Sequence, residues 1–299
     1  MIAFIDQHRD VASVEHLCRQ LQLSPSTYYA HKAAEREPER RSVRVRRDER
    51  LRDEIGRVHA ENLGVYGVRK VWRQLKREGI SCARCTVERL MRGMGLKGVV
   101  RGARIRTTNP DTAAPCPLDQ VNRQFTADRP NQLWVADFTY VATWQGFVYV
   151  AFVIDVYARS IVGWRVHNTM QSSLVLDALE QAIAQRLHVG ERGPIHHSDR
   201  GSQYLSIRYS ERLAEANISA SVGSVGDSYD NALAETIIGL FKTEIIRRCG
   251  PWRNIDQVEK AVLEWVDWFN NRRLLSTIGY RPPAEVEAEY HQTELANAA

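Results

Sequence analysis

The sequence has few cysteines, no long apolar run, and no basic leader followed by an apolar stretch. Its five cysteines, Cys18, Cys82, Cys85, Cys116 and Cys249, are an odd number in 299 residues. That excludes a disulfide framework of the kind that holds small exported domains. Cys82 and Cys85 form one C-x-x-C pair. A zinc site would need two more ligands, and His16, His31 and His59 are not paired at short spacing. Both cysteines are therefore expected to be small buried residues flanking a helix start. The longest apolar run, Phe147 to Ile154, ends at Asp155 and falls far short of the ~20 residues that cross a bilayer. With no secretory signal in view, the expectation is a soluble cytoplasmic chain without membrane contact. Hydrophobic residues make up 43% of the chain, enough to build a real core and to exclude wholesale disorder.

What is present is unevenly placed. Residues 1–62 carry 12 basic and 11 acidic side chains, residues 63–107 carry 12 and 2, and residues 131–299 carry 15 and 20. The net charge of +5 therefore arises in one short segment. A basic segment this concentrated is the electrostatic footprint of a polyanion binder.

Periodicity divides the chain further. Residues 1–62 read as a helical region, with Ser24 and Pro25 opening a helix; a first helix-turn-helix and a plain helical hairpin both fit. Within it, residues 36–52 read as a linker running into a solvated helix that ends near Glu61. Residues 63–107 hold a second helical pair, Val68 to Arg77 and Thr86 to Met94, broken at Gly79-Ile-Ser81. Arg84, Arg89 and Arg92 cluster on the second helix, as in a DNA-reading helix-turn-helix. An extended basic arm with Lys97, Arg101, Arg104 and Arg106 follows, suited to phosphate or minor-groove contact. Residues 108–125 are a proline-bearing linker. Residues 126–290 then give the order β-β-β-α-β-α-β-α-α, which implies a mixed sheet with helices on its faces.

Two acids sit where burial is costly. Asp137 interrupts the apolar strand Leu133-Trp-Val-Ala-Asp137-Phe-Thr-Tyr-Val, and Asp199 ends Ile195-His-His-Ser-Asp199. Such a carboxylate needs a partner or a cation; taken alone, Asp199 reads equally well as a capping or salt-bridged residue. A third acid, Glu235, lies near the start of the helix Ala232 to Ile246. Lys242 is seven positions later and returns to the same helical face, off the apolar stripe. Three convergent carboxylates suit two Mg²⁺ ions, which stabilise the entering and leaving oxygens of a displacement at phosphorus.

Asp137, Asp199 and Glu235, with 35 residues between the last two and Lys242 seven beyond, resemble the D,D-35-E signature of retroviral integrases and bacterial insertion-sequence transposases. The words Trp134-Val-Ala-Asp137-Phe-Thr-Tyr-Val, His196-His-Ser-Asp199-Arg-Gly-Ser-Gln-Tyr204, Asp230-Asn-Ala-Leu-Ala-Glu235 and Trp268-Phe-Asn-Asn-Arg-Arg273 resemble the OrfB subunit of frameshifting insertion-sequence transposases. So do Tyr66-Gly-Val-Arg-Lys-Val-Trp72 and Thr86-Val-Glu-Arg-Leu-Met91. The resemblance implies an RNase H-like five-stranded mixed sheet with flanking helices, preceded by an all-α helix-turn-helix DNA-binding region. It implies Asp137, Asp199 and Glu235 as catalytic metal ligands, Mg²⁺ as cofactor with Mn²⁺ able to substitute, and Lys242 holding DNA beside them. The implied reaction hydrolyses a phosphodiester at a transposon end and transfers the freed 3′-OH to another strand. Implied partners are transposon-end and target DNA, further copies of the chain assembled on DNA, and an upstream OrfA protein or frameshift fusion, in a bacterial cytoplasm and on the nucleoid when bound to DNA.

The chain departs from the family pattern in two respects. Leu275 stands where a His usually follows the C-terminal Arg-Arg word, and no leucine-zipper heptads precede the first helix-turn-helix. Two other functions share many of these features: an RNase H-like nuclease that cuts without joining, and a DNA-binding regulatory remnant. The basic module weighs against the first and the intact acidic triad against the second. Asp155, Asp230 and Asn231 are expected in structural roles, Asn231 and Asp230 as caps of the Glu235 helix, while His197 fits equally a tuning role beside Asp199 and packing or a carbonyl hydrogen bond. Neutralising Arg101, Arg104 and Arg106 together is expected to weaken DNA binding and flatten its dependence on salt, by about one unit of log–log slope for each phosphate no longer neutralised. Titrating the triple variant against salt checks this, and an unchanged slope removes the arm from the interface.

Overall fold

A computed structural model describes residues 1–100, 126–187, 193–199, 203–204, 206–222 and 231–298. Arg101, Arg104 and Arg106 lie outside the described residues, as do Asp230 and the whole linker, residues 108–125. The described chain forms two compact units, Met1–Glu61 with Val71–Lys97, and Asn62–Lys70 with Gly98–Ala299.

The first unit is all-helical. Helices α1 (Ile2–His8), α2 (Val14–Gln20) and α3 (Pro25–Arg36) gather around Ile5, Cys18 and Tyr28. Ser24 takes the cap position and Pro25 opens α3, as the sequence indicates. Helix α4 (Val43–Glu61) turns Leu51, Ile55 and Val58 inward at helical spacing. It starts at Val43, well inside the stretch read as linker. Helix α5 (Val68–Arg77) contributes buried Val71 and Leu75, and α6 (Arg84–Gly93) contributes Val87, Leu90 and Met91. The expectation that Cys82 and Cys85 are buried is wrong. Cys82 is half-buried and Cys85 exposed, because Val87, Leu90 and Met91 fill the inward face of α6.

The second unit is built on a five-stranded sheet in the order β3-β2-β1-β4-β5. Strands β1 (Leu133–Thr143), β2 (Gly146–Asp155) and β3 (Ile161–His167) form an antiparallel meander. Strands β4 (Ile195–Ser198) and β5 (Ser219–Val222) add in parallel beyond β1. Helices α7 (Ser172–Arg186) and α8 (Ile207–Glu215) supply the parallel crossovers. This is the five-stranded mixed sheet with flanking helices that the sequence implies.

The two sheet faces have separate cores. Trp134, Ala136, Ala151 and Val153 pack with Leu174 and Leu179 of α7 and Tyr209 and Leu213 of α8. Gly163 on β3 allows α7 to approach closely, since a Cβ there would stand 2.1 Å from the Ala178 carbonyl oxygen. On the other face Phe152 meets Phe241 of α9 (Ala232–Phe241) at 5.3 Å and, beyond the short α10 (Arg247–Cys249), Trp265 of α11 (Ile255–Asn271) at 5.9 Å between ring centroids. Trp265, Trp268 and Phe269 are thus buried core. A last helix, α12 (Pro283–Ala298), is absent from the element order read in the sequence. Asp155, fully buried, accepts the Asn131 and Tyr157 backbone N–H groups at 2.6 and 2.8 Å. Burial nevertheless holds its carboxyl up at about 6.

His196 on β4 is fully buried and lies 3.0 Å from the Tyr209 hydroxyl. Burial, followed by the neighbouring His197, brings its imidazole down to about 3. A base depressed in the folded state keeps its full stability above its unfolded pKa near 6.5 and loses it as pH falls toward the folded value. Urea midpoints are therefore expected to fall on acidification from pH 7 to 4, by up to about 1.4 kcal/mol per pH unit from this group. Asp155, raised instead of lowered, opposes it between about 4 and 6. His196→Gln should flatten the acid limb; a limb left unchanged would mean that His196 is protonated in the folded protein.

Candidate active site

The parallel register of β1 and β4 places the two aspartates. Ala136 pairs with Ser198, so Asp137 and Asp199 are the next residues on neighbouring strands, whose axes run ~4.8 Å apart. Asp137 is itself paired with Phe152, which assigns its side chain to the face covered by α9 and α11. Glu235 lies in the first turn of α9, and its N–H donates to the Asn231 carbonyl at 3.1 Å.

Contrary to the expectation from sequence, Asn231 does not cap α9 with its side chain. Its Nδ2 donates instead to the Ala136 carbonyl at 2.8 Å. The start of the Glu235 helix is thereby tied to the strand position beside Asp137. This is a positioning residue that sequence reasoning missed, and the Asp-Asn pair ahead of the helix was its only signal.

The charges act on one another. Burial pushes the Asp137 carboxyl well above the ordinary carboxylate range. The Asp199 charge pushes further and Glu235 adds to it, against the Phe138 N–H, the Asp137 side chain's own backbone donor, and the Lys242 ammonium. Lys242, half-buried at the end of α9, is drawn down by burial and by Arg247 and held up by Asp137. Lys242 thus lies within reach of the Asp137 charge. Tyr204, 4% exposed, is another neighbour the sequence did not single out. Its hydroxyl is buried and has no hydrogen-bond partner among the described residues, and burial and Asp137 hold its proton on.

Among the described residues, no three side chains converge as a finished metal-ligand set. The donor set nonetheless suits a hard cation. It consists of carboxylates only, Asp137 and Glu235 half-buried and Asp199 exposed, and their mutual repulsion would fall on binding a divalent ion.

The helix bearing Glu235 is anchored from behind. Past Phe241 the chain makes a π-helical turn, Lys242–Ile246. Glu244 in that turn is buried against Arg273, whose Nε lies 3.2 and 3.1 Å from its two carboxylate oxygens. Trp265 Nε1 donates to the same carboxylate at 3.2 Å. The segment Asn62–Lys70 joins this anchor. The Tyr66 hydroxyl donates to the Arg272 carbonyl at 3.1 Å and accepts the Leu274 N–H at 2.7 Å, and Trp268 Nε1 donates to Asn62 at 3.2 Å. Gly98 lies so close to Gly67 that a Cβ would meet its backbone nitrogen at 2.4 Å. Lys70 stands 5.0 Å from the Tyr66 ring centroid, and burial and the Arg273 charge bring its ammonium down to about 7. Leu275 is buried, with its N–H donating to the Arg281 carbonyl.

The basic residues of the first unit differ in their engagement. Arg84, Arg92 and Lys97 are exposed, and Arg92 reaches Glu88 at 3.3 Å. Arg89 makes a bidentate pair with the buried Asp48, both contacts at 2.9 Å.

Three stretches of the chain match known families: Integrase core domain over residues 127–228 and again over 216–283, and HTH-like domain over residues 46–104. The chain is 57% identical to a transposase of insertion sequence element IS629 from Shigella sonnei over 291 residues, covering 97% of each. It is 59% identical to a protein of insertion sequence element IS986/IS6110 from Mycobacterium tuberculosis, covering 93% of this chain and 99% of that one. Among solved structures, an HTLV-2 integrase catalytic core in complex with magnesium is similar at a TM-score of 0.42 and 17% identity, covering 54% of this chain and 98% of that one.

Replacing Arg273 with Met would leave Glu244 buried and unpaired. The expected loss is about 3–5 kcal/mol of stability, read from denaturant unfolding. The double variant Glu244→Gln/Arg273→Met should recover most of it. A double variant no better than the single would show that Arg273 acts by packing alone.

Proposed function

This chain belongs to the family of insertion-sequence transposases in which an HTH-like domain precedes an integrase-type core, and from that membership we propose that Asp137, Asp199 and Glu235 are its catalytic acids. The enzyme is a DDE-type transposase, a polynucleotidyl transferase acting in DNA transposition. The observation that carries the assignment of the acids is the β1–β4 register, which puts Asp199, just past the end of β4, beside Asp137 in the middle of β1, within reach of each other's charge and that of Glu235.

The three carboxylates would hold Mg²⁺, as two ions with Mn²⁺ able to replace them, and the bound metal would polarise phosphoryl oxygens and acidify the attacking water. Asp137, half-buried and crowded by like charge, favours any state in which positive charge stands beside it. In the first step a water oxygen bonds to phosphorus at the element end and the bond from phosphorus to the 3′ oxygen breaks, leaving a free 3′-OH. In the second, that 3′ oxygen bonds to a phosphorus of another strand and displaces that strand's 3′ oxygen. No protein–DNA bond forms. Lys242 supplies positive charge for the DNA backbone beside the acids.

Residues 63–107 grip the element end through Arg84, Arg89, Arg92 and Lys97, with Arg101, Arg104 and Arg106 continuing as an arm. Arg89 serves DNA only while sharing its guanidinium with Asp48. Residues 1–62 add a further helical region, residues 108–125 link it to the catalytic part, and residues 126–290 carry the chemistry. The working assembly is several copies of the chain bridging two ends, with an upstream OrfA protein or fusion supplying the rest of the end-binding surface. It acts in the cytoplasm, on the nucleoid.

The test is a strand-transfer assay with purified protein, Mg²⁺ and labelled DNA carrying the ends that flank the gene. Wild type should cleave and join. Asp199→Asn and Glu235→Gln should each lose both steps by about 100-fold or more while still binding ends. Joining that persists in either variant would overturn the assignment. Cleavage without joining by the wild type would make it a nuclease. Binding without either reaction, by this chain and by its frameshift fusion alike, would make it a regulator.

A further inference from the structure

Three large aromatic side chains stand in solvent on the β1–β2 hairpin, just beyond the acidic site. Tyr140 is 51% exposed, Trp144 68% and Phe147 57%. They are organised. Tyr140 and Phe147 meet edge to face at 5.3 Å. Lys242 Nζ lies 4.9 Å from the centre of the Tyr140 ring, and the Arg253 guanidinium lies 5.5 Å from the Trp144 ring. The hairpin is fixed where it carries them, since the Trp144 N–H donates to the Trp252 carbonyl at 3.0 Å and Thr143 bridges to Trp252.

Among the described residues, β4 pairs with β1 only over Leu133–Ala136. Beyond that point this edge of β1 is next met at Thr143, by the bridge to Trp252, and Tyr140 lies between the two pairings. Tyr140 is three residues from Asp137, ~10 Å along the strand, and it and Phe147 project from the opposite sheet face; Lys242, whose ammonium feels the Asp137 charge, links the two by lying over the Tyr140 ring. Exposed rings beside cations are costly on a solvated surface. They match one ligand chemistry well, a polyanionic strand whose bases present bare π-faces. A paired duplex hides those faces, whereas an opened strand end offers them.

We propose that Tyr140, Trp144 and Phe147, with Lys242 and Arg253, form a ledge that stacks unpaired bases of the DNA strand adjoining the phosphate held at Asp137. The ledge rests on the polynucleotidyl-transfer reading. It favours ends whose last few base pairs are opened, and it holds the reactive strand apart from its complement.

The experiment measures binding without metal, so that it is independent of joining. Fluorescence anisotropy compares a blunt element end with the same end carrying three unpaired nucleotides. Tyr140→Ala, Trp144→Ala and Phe147→Ala should each weaken binding of the unpaired end roughly tenfold, with blunt-end affinity and salt slope unchanged. Tyr140→Phe and Trp144→Phe should restore it. Equal losses on both ends, or none on the unpaired end, would overturn the ledge. So would a variant that alters only self-association in sedimentation, which would make the patch an interface between copies. As a check free of variants, 5-iodouracil in the unpaired end of wild-type complexes should crosslink within residues 140–147, and crosslinks confined to other segments would overturn the proposal. Failure here with intact strand transfer leaves the transposase reading standing, whereas loss of transfer in wild type with a normal ledge strikes only that reading.

Discussion

Asp137 occupies a position that a folded chain on its own would rather not fill with an acid. Burial disfavours its charge, and Asp199 and Glu235 disfavour it again. The cost is imposed by register: with Ala136 opposite Ser198, the following residues have nowhere else to go. Slipping β1 by one residue would relieve the repulsion but would turn every side chain of the strand to the opposite face. Trp134 and Ala136 would then leave the core they share with α7 and α8. Hydrophobic packing thus enforces an electrostatic arrangement that only a cation fully relieves.

The same logic explains the weight of structure behind α9. A helix bearing an acid among other acids is pushed away from them, so it must be held. Asn231 ties its first turn to the Ala136 carbonyl, Phe241 packs between Phe152 and Trp265, and Glu244 is clamped to Arg273 past its end. The π-helical turn that carries Glu244 begins at Lys242, so one local distortion serves both the anchor and the cation. Such turns recur at functional sites because they re-aim side chains without ending the helix.

Much of this was legible in the sequence because the signals are local. The three meander strands, β4, α5, α7 and α11 follow from apolar periodicity, and the acidic triad stands out because charge interrupts that periodicity. What could not be read depends on contacts between distant residues. Asn62 meets Trp268 and Tyr66 meets Arg272 across more than 200 residues, so a boundary drawn from charge at residue 62 separates a segment that packs with the catalytic unit. Asn231 has the composition of a cap, but a carbonyl of β1 competes successfully for its amide. Helix α12 follows Pro282-Pro283, a pair that resembles a terminator, although proline is well suited to a first helical turn.

The packing of Asn62–Lys70 gives a route by which the two halves of the sequence constrain each other. These residues lie in the chain between α4 and the rest of α5, yet their buried contacts are with Trp268, Arg272 and Leu274. Those residues sit at the end of α11, directly before and after the Arg273 that clamps Glu244. A change in this segment would therefore be felt first at the anchor of the Glu235 helix. The Gly67–Gly98 approach makes the fit intolerant of even one added carbon on Gly98. Residues that look like part of a DNA-binding module are, by their packing, part of the framework that holds the acidic site together.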